Sequence, residues 1–98
     1  MVAYVIVEPM EVSDAEAFQA YRPLGAAAVK AHQGLYAARG ADAVPLEGDW
    51  TPQKLTLLQF PSLDLARGWY DSPEYRAARA VRAGAARLRL VAFDGTGG

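Results

Sequence analysis

Ninety-eight residues, 52% hydrophobic and 21% charged, describe one ordinary globular domain close to the smallest size that buries a self-sufficient core. A net charge of −1 argues against nucleic acid as a partner, and the absence of cysteine excludes a disulfide framework, a thiolate nucleophile and a thiolate metal site. No stretch approaches the ~20 apolar residues that span a bilayer, and the chain enters a strand-like run at once, so a cytoplasmic protein without membrane contact is expected.

Ala3-Tyr4-Val5-Ile6-Val7-Glu8 is short, aromatic and β-branched, and Pro9 closes it. Apolar on both faces, it predicts a central first strand. Ser13-Asp14-Ala15-Glu16 has capping-box form, with Ser13 placed to cap forward and Glu16 to reach back. Ala17, Phe18, Tyr21, Leu24, Ala28 and Val29 then recur at helical spacing. Pro23 predicts a kink or two abutting segments, and Gly34 the helix end, with His32 in its last turn.

Leu35 to Arg39 reads as a second strand, broken by Gly40 and resumed at Val44-Pro45-Leu46. Glu47-Gly48-Asp49-Trp50-Thr51-Pro52 is the turn into a third strand, Lys54 to Phe60, again apolar on both faces. Ser62 caps a short helix through Leu65, Ala66 and Trp69. The stretch Trp69-Tyr70-Asp71-Ser72-Pro73-Glu74-Tyr75 then holds aromatics, acids and a second helix start together. Ser72 offers a capping hydroxyl, Pro73 suits the first helical position, and Asp71 and Glu74 favour the positive end of the helix dipole. On that helix Ala77, Ala80, Val81 and Gly84 suit close packing on a sheet, and Gly84 marks its end. Leu88 to Phe93 forms the last strand. A single domain is expected over 1–94, with 95–98 as a disordered tail.

Strand, helix, strand, strand, helix, strand is the split βαβ order of the α+β ferredoxin-like fold, a four-stranded antiparallel sheet with two helices on one face. Two helices cover one face only. Yet Tyr4, Ile6, Leu55 and Leu57, together with Val5, Val7, Leu58 and Phe60, supply apolar side chains to both faces of the inner strands. Leaving such residues wet forfeits roughly 1.5–3 kcal/mol each. The expected closure is a two-fold homodimer through the open sheet face.

The Ala-Tyr-Val-Ile first strand, Gly34-x-Tyr36-x-x-Arg39-Gly40, Leu46-Glu47-Gly48-Asp49-Trp50, Phe60-Pro61, Trp69 to Tyr75, Arg82 and the closing Leu90-Val91 occur in one order along nearly the whole chain. Together they resemble the domain-of-unknown-function family 1330. The resemblance implies a ferredoxin-like protomer of the dimeric α+β barrel superfamily. Leu35, where such sequences often carry glycine, and the early Pro23 depart from the pattern. Relatives in that superfamily include cofactor-free monooxygenases, lactone isomerases, haem-dependent enzymes and ligand-sensing modules, so the fold does not choose the chemistry. It implies that a ligand lies between the sheet and its own helices.

His32 is the only histidine and the catalytic candidate, placed by helical spacing to face that space; the plainer reading is a last-turn histidine favoured by the helix dipole. One histidine and no cysteine make a poor metal inventory, and no metal is expected. Tyr75, Arg79 and Arg82 share a helix face near Trp69 and could grip a carboxylate or enolate; the alternative is a solvated face with salt bridges to Glu74, Asp71 or the partner subunit. Arg39 alternates with Leu35 and Ala37, and on a buried face it needs an anion, Glu47 or a ligand. Glu47, Gly48, Asp49 and Trp50 are a structural turn, with Trp50 capping the core or the dimer edge.

The leading reading is a homodimer that binds a small aromatic or carboxylated metabolite in a pocket lined by Trp69, Tyr75, Arg82, His32 and Arg39. If it is catalytic, the chemistry is monooxygenase- or isomerase-like with no bound cofactor. The alternative is a non-catalytic ligand-sensing or structural module. The small residues Ala28, Ala77, Ala78 and Gly84 lean towards a cavity.

Overall fold

The computed structural model describes residues 2–95, in which seven elements follow one another. They are β1 (Ala3–Val12), α1 (Ala15–Ala31), β2 (Leu35–Asp42), β3 (Lys54–Phe60), α2 (Leu63–Tyr70), α3 (Pro73–Arg82) and β4 (Ala86–Asp94). The strands form one antiparallel sheet in the order β2-β3-β1-β4. This is the ferredoxin-like arrangement, with α2 and α3 sharing the place of one helix. Period-two alternation on β1 sends Ala3 and Val5 under the helices and Tyr4 and Ile6 to the open face. The core joins Val5, Leu58 and Phe60 of the sheet to Ala28, Val29, Ala66, Trp69, Tyr75 and Ala78 of the helices. No described helix is long and apolar enough to cross a membrane.

The α1 boundaries are set by local hydrogen bonds. Asp14, not Ser13, is the N-cap, accepting from the Glu16 and Ala17 amides at 3.1 and 3.2 Å. The Ser13 hydroxyl bonds instead to the Gly84 and Ala85 carbonyls at 3.2 Å, tying the helix start to the entry of β4. Pro23 sits inside one continuous helix. Both Pro23 and Gln19, whose carbonyl loses its donor, are exposed, so the missing bond lies on the solvent side of the helix. At the other end Gly34 N–H reaches the Val29 carbonyl at 2.9 Å and Gln33 N–H the Lys30 carbonyl at 3.2 Å, the Schellman pattern. The left-handed residue is Gln33, at φ 65°. Gly34 is required for another reason: a Cβ there would lie 2.6 Å from the Phe60 ring.

Three strand expectations are corrected. β1 runs through Pro9 to Val12, with its register shift between Pro9 and Glu11, where a residue without an N–H breaks the ladder at least cost. β2 passes through Gly40 to Asp42 and does not resume at Val44-Pro45-Leu46, where Val44 and Leu46 stand 77% and 94% exposed. Its register against β3 shifts between Tyr36 and Ala38 and again between Ala38 and Ala41. Gly40 turns at φ 57°, and its amide bonds the Thr56 hydroxyl at 2.9 Å, which holds the irregular stretch to β3.

α3 packs chiefly against α1 rather than on the sheet. Ala78 and Tyr75 are therefore its buried residues, and Ala77, Ala80 and Val81 face solvent, contrary to the packing expected from their small size. At the C-terminus the Gly95 amide bonds the Val2 carbonyl at 2.7 Å; residues 96–98 of the expected tail lie outside the described residues.

Candidate ligand-binding site

Between α1 and the sheet lies a cavity of about 270 Å³. One end is buried and aromatic, made by Trp69 and Tyr75 with Val29, Leu58 and Gly25. The other end carries Arg22, Arg39 and Lys54, all exposed, so the cations stand at the mouth. Val7, Pro9, Thr56 and Leu88 form the strand wall, and Phe18, Tyr21 and Tyr36 complete the aromatic lining.

The buried end is built by the corner between α2 and α3. The Ser72 hydroxyl donates to the Trp69 carbonyl at 2.7 Å and accepts from the Tyr75 amide at 3.1 Å. One buried side chain thus ends α2 and starts α3. It sets the Trp69 and Tyr75 rings 4.3 Å apart between centroids, and Phe60 tilts against Trp69 at 5.3 Å. From α1, the Tyr21 hydroxyl meets the Tyr75 hydroxyl at 2.7 Å. Burial pushes the Tyr21 phenol far above its ordinary value, Tyr75 adds to the rise, and Arg82 opposes it. One turn on, a Cβ at Gly25 would come within 3.3 Å of the Tyr21 ring, so glycine leaves that ring its place.

At the mouth, the β2 bulges decide which way Arg39 points. Strict alternation assigns Arg39 to the face of Leu35 and Ala37, but the extra residue after Tyr36 returns Arg39 to the side of Tyr36. Its guanidinium lies 4.5 Å above the Tyr36 ring. Burial raises the Tyr36 phenol, with Arg39 pulling against that rise. Lys54 is paired with Asp42, whose carboxyl is held below its usual range by the hydrogen bond from that ammonium. Among the described residues Arg22 and Arg39 have no carboxylate partner, and the structural ion pair expected between Arg39 and Glu47 is not made.

The structure brings Trp69, Tyr75 and Arg39 to one cavity and leaves His32, Arg79 and Arg82 outside it. His32 Nε2 bonds Glu74 Oε1 at 2.7 Å, pinning the end of α1 to the start of α3. That bond holds the Glu74 carboxyl below its usual value. Arg79 lies 4.2 Å over the Tyr70 ring and donates to the Tyr70 carbonyl at 3.3 Å, and Arg82 lies 5.2 Å over the Tyr21 ring. Both arginines back the aromatic cluster, and neither pairs with Glu74 or Asp71. Tyr21, Arg22 and Lys54 are among the lining residues that sequence reasoning did not name as site candidates. Their signal was present: Phe18, Tyr21, Arg22, Gly25 and Val29 fall at spacings of three and four on one helix face, and Lys54 alternates with Thr56 and Leu58.

The turn residues serve the opposite side of the sheet. Gly48 adopts φ 91°, and Trp50 Nε1 donates to Glu8 Oε1 at 3.2 Å. Glu47 and Asp49 are exposed in the same turn. Glu8, 7% exposed, also takes Arg89 Nε and Nη2 at 3.1 and 2.6 Å, a compact polar cluster on the open face. Among the described residues no three His, Asp or Glu side chains converge as a metal site.

Solved structures share this architecture. A protein from Rhodopseudomonas palustris is similar with TM-score 0.71 and 20% identity, over 96% of this chain and 82% of that one. SnoaB, a cofactor-independent oxygenase from Streptomyces nogalater, is similar with TM-score 0.59 and 13% identity, over 96% and 91%. A dimeric ferredoxin-like protein from Thermobifida fusca is similar with TM-score 0.54 and 14% identity, over 97% and 92%. At such identities the likeness is one of fold. No curated protein matches the chain. The model of the domain of unknown function DUF1330 matches residues 2–96, and the chain belongs to that family.

Proposed function

We propose that the chain is a homodimeric protein that binds a small aromatic carboxylic acid in the cavity between α1 and the sheet. The observation that carries this reading is the cavity itself: aromatic and buried at one end, with the guanidinium groups of Arg22 and Arg39, which have no carboxylate partner among the described residues, at the other. Its volume, about 270 Å³, sits just below the roughly 300–1,000 Å³ of drug-sized sites, which suits a single-ring ligand. A stacked ring gains apolar burial, and a carboxylate gains charge-assisted bonds at the mouth. An unfilled space of this kind favours a ligand over a purely structural module.

The open sheet face supports the dimer. Val91 and Phe93 of β4 are 57% and 43% exposed, and they continue across Ile6 and Tyr4 of β1 to Leu57 of β3. A contiguous apolar surface of this breadth is costly to leave wet. The Thermobifida fusca neighbour is described as dimeric, which agrees. SnoaB is described as acting without a cofactor, and catalysis of that kind is the enzymatic form of this reading. In it the phenols of Tyr21 and Tyr75, rather than His32, are the proton-bearing groups at the cavity.

Calorimetric titration of benzoate and its ring-substituted relatives tests the reading. Micromolar to millimolar binding is expected, weakened several-fold by Arg39→Ala or Arg22→Ala and by added salt. Absence of binding by every such acid, or binding indifferent to both arginines, overturns it. Sedimentation at micromolar concentration tests the assembly, and a monomer there overturns the dimer.

A further inference from the structure

The buried end of the cavity has a surplus of hydrogen-bond donors. Tyr21 and Tyr75 share one bond at 2.7 Å, yet two hydroxyls carry two protons. Whichever oxygen donates in that bond, the other hydroxyl keeps a proton with no acceptor among the described residues. Neighbouring groups cannot take it. Arg82 and Arg79, 5.2 Å over the Tyr21 ring and 5.6 Å over the Tyr75 ring, are donors only. Trp69 is a donor only as well, and its Nε1 is itself buried without a partner, as are Arg79 Nε and Arg82 Nε. Tyr75 and Trp69 are 1% and 2% exposed, so bulk water does not reach the Tyr75 hydroxyl, while Tyr21 is half-buried at its side. A buried donor left unmade is costly, and the space that both tyrosines and Trp69 line is the cavity.

Resting on the reading of the cavity as a site for an aromatic acid, we infer that the Tyr21–Tyr75 hydroxyl pair is a subsite for an oxygen acceptor on the ring of that acid. The ligand class is then an aromatic carboxylic acid with a second oxygen, phenolic or carbonyl, directed away from the carboxylate. The arginines at the mouth hold the carboxylate, and the tyrosine pair reads the far substituent. Because burial keeps the Tyr21 phenol protonated well above neutrality, the subsite donates a proton rather than attracting a cation. A methyl group in the same position fills the space but leaves the donor unpaired, so discrimination between hydroxyl and methyl is the signature of the subsite.

The test compares 2-, 3- and 4-hydroxybenzoate with the matching methylbenzoates by calorimetry at neutral pH, on the wild-type protein and on Tyr21→Phe/Tyr75→Phe. In the wild type at least one hydroxybenzoate is expected to bind roughly tenfold tighter than its methyl counterpart, a ratio in line with one hydrogen bond made to an otherwise unpaired group. In the double variant that ratio should fall to about one or below, with an unchanged circular dichroism spectrum showing that the domain is still folded. The single variants identify which oxygen carries the outward proton. Methylbenzoates that bind as well as hydroxybenzoates at every ring position overturn the subsite and leave the aromatic-acid reading standing. A hydroxyl preference that survives in the double variant also overturns the subsite. Failure of all six acids to bind overturns the aromatic-acid reading, and the subsite with it. Should the double variant unfold, the hydroxyl-to-methyl ratio in Tyr21→Phe and Tyr75→Phe singly decides, and an unchanged ratio in both overturns the inference.

Discussion

Replacing Gly34 by alanine places a methyl carbon where the structure has no room for one. The new Cβ would lie 2.6 and 2.8 Å from two Phe60 ring carbons and 2.8 Å from Val29 Cγ1. Comfortable carbon contacts begin near ~3.5 Å, so the overlap is about 1 Å against two side chains at once. Neither can step aside, because Phe60 and Val29 are 1% and 3% exposed and the Phe60 ring leans on Trp69. Overpacking of this kind costs roughly 1–3 kcal/mol, and the entropy gained by removing a glycine from the unfolded chain returns only ~0.4–1. A net loss of about 1–2 kcal/mol is expected, and in a domain of this size each kcal/mol lowers Tm by roughly 4–8 °C. Urea unfolding followed by circular dichroism should show a lower midpoint at unchanged slope. The neighbouring Gln33→Gly is the control, since Gln33 bears the left-handed φ of 65°. That change should leave stability equal or raise it by up to about 1 kcal/mol. Gly34→Ala unfolding at or above the wild-type midpoint would refute the reasoning.

Asp42→Asn removes the carboxylate that occupies Lys54, leaving a third uncompensated cation at the mouth. Benzoate affinity should rise a few-fold by calorimetry and fall back with added salt, and unchanged affinity would exclude Lys54 from anion binding. Glu74 has a depressed folded pKa, chiefly through its bond from His32. The stability it contributes is therefore present above the ordinary glutamate value and is lost as pH falls through the lower folded one. The Tm difference between wild type and Glu74→Gln should close over that acidic range, and a difference that persists at lower pH would contradict the linkage. Ser72→Ala removes a buried cap that serves both Trp69 and Tyr75, and should cost about 1–2 kcal/mol and weaken the near-ultraviolet signal of the aromatic cluster. An unchanged spectrum would show that ring packing alone holds the corner.

Features that rest on neighbouring residues could be read directly from the sequence. Ser62 and Ser72 cap as expected because a hydroxyl three residues before a free amide is a local arrangement. The sheet topology follows from the order of the elements, and the apolar open face from alternation along the inner strands. Readings failed where a distant contact overrides the period. Arg39 leaves its expected parity because β2 carries an extra residue after Tyr36 in its pairing with β3. His32 seemed to extend the α1 stripe, but it is the C-cap, with φ −111° and ψ 27°, and the helical period no longer applies to it. Arg22 was overlooked because it stands among apolar residues and a hydropathy stripe discounts a charge. The packing of α3 was misassigned because small residues signal closeness without naming the neighbour.

Ser72 gives the cavity two walls of different mechanical origin. Trp69 and Tyr75 hang from a single hydroxyl at the junction of α2 and α3, so their mutual placement is settled within the helical layer. Thr56 and Leu88, which line the same cavity from the strands, contribute size and polarity from outside the buried cluster that holds the two rings. Ligand preference can therefore drift through changes on the strand side alone, with the aromatic clamp carried along intact. A chain built this way lends itself to redesign for new ring substituents by altering those strand positions first.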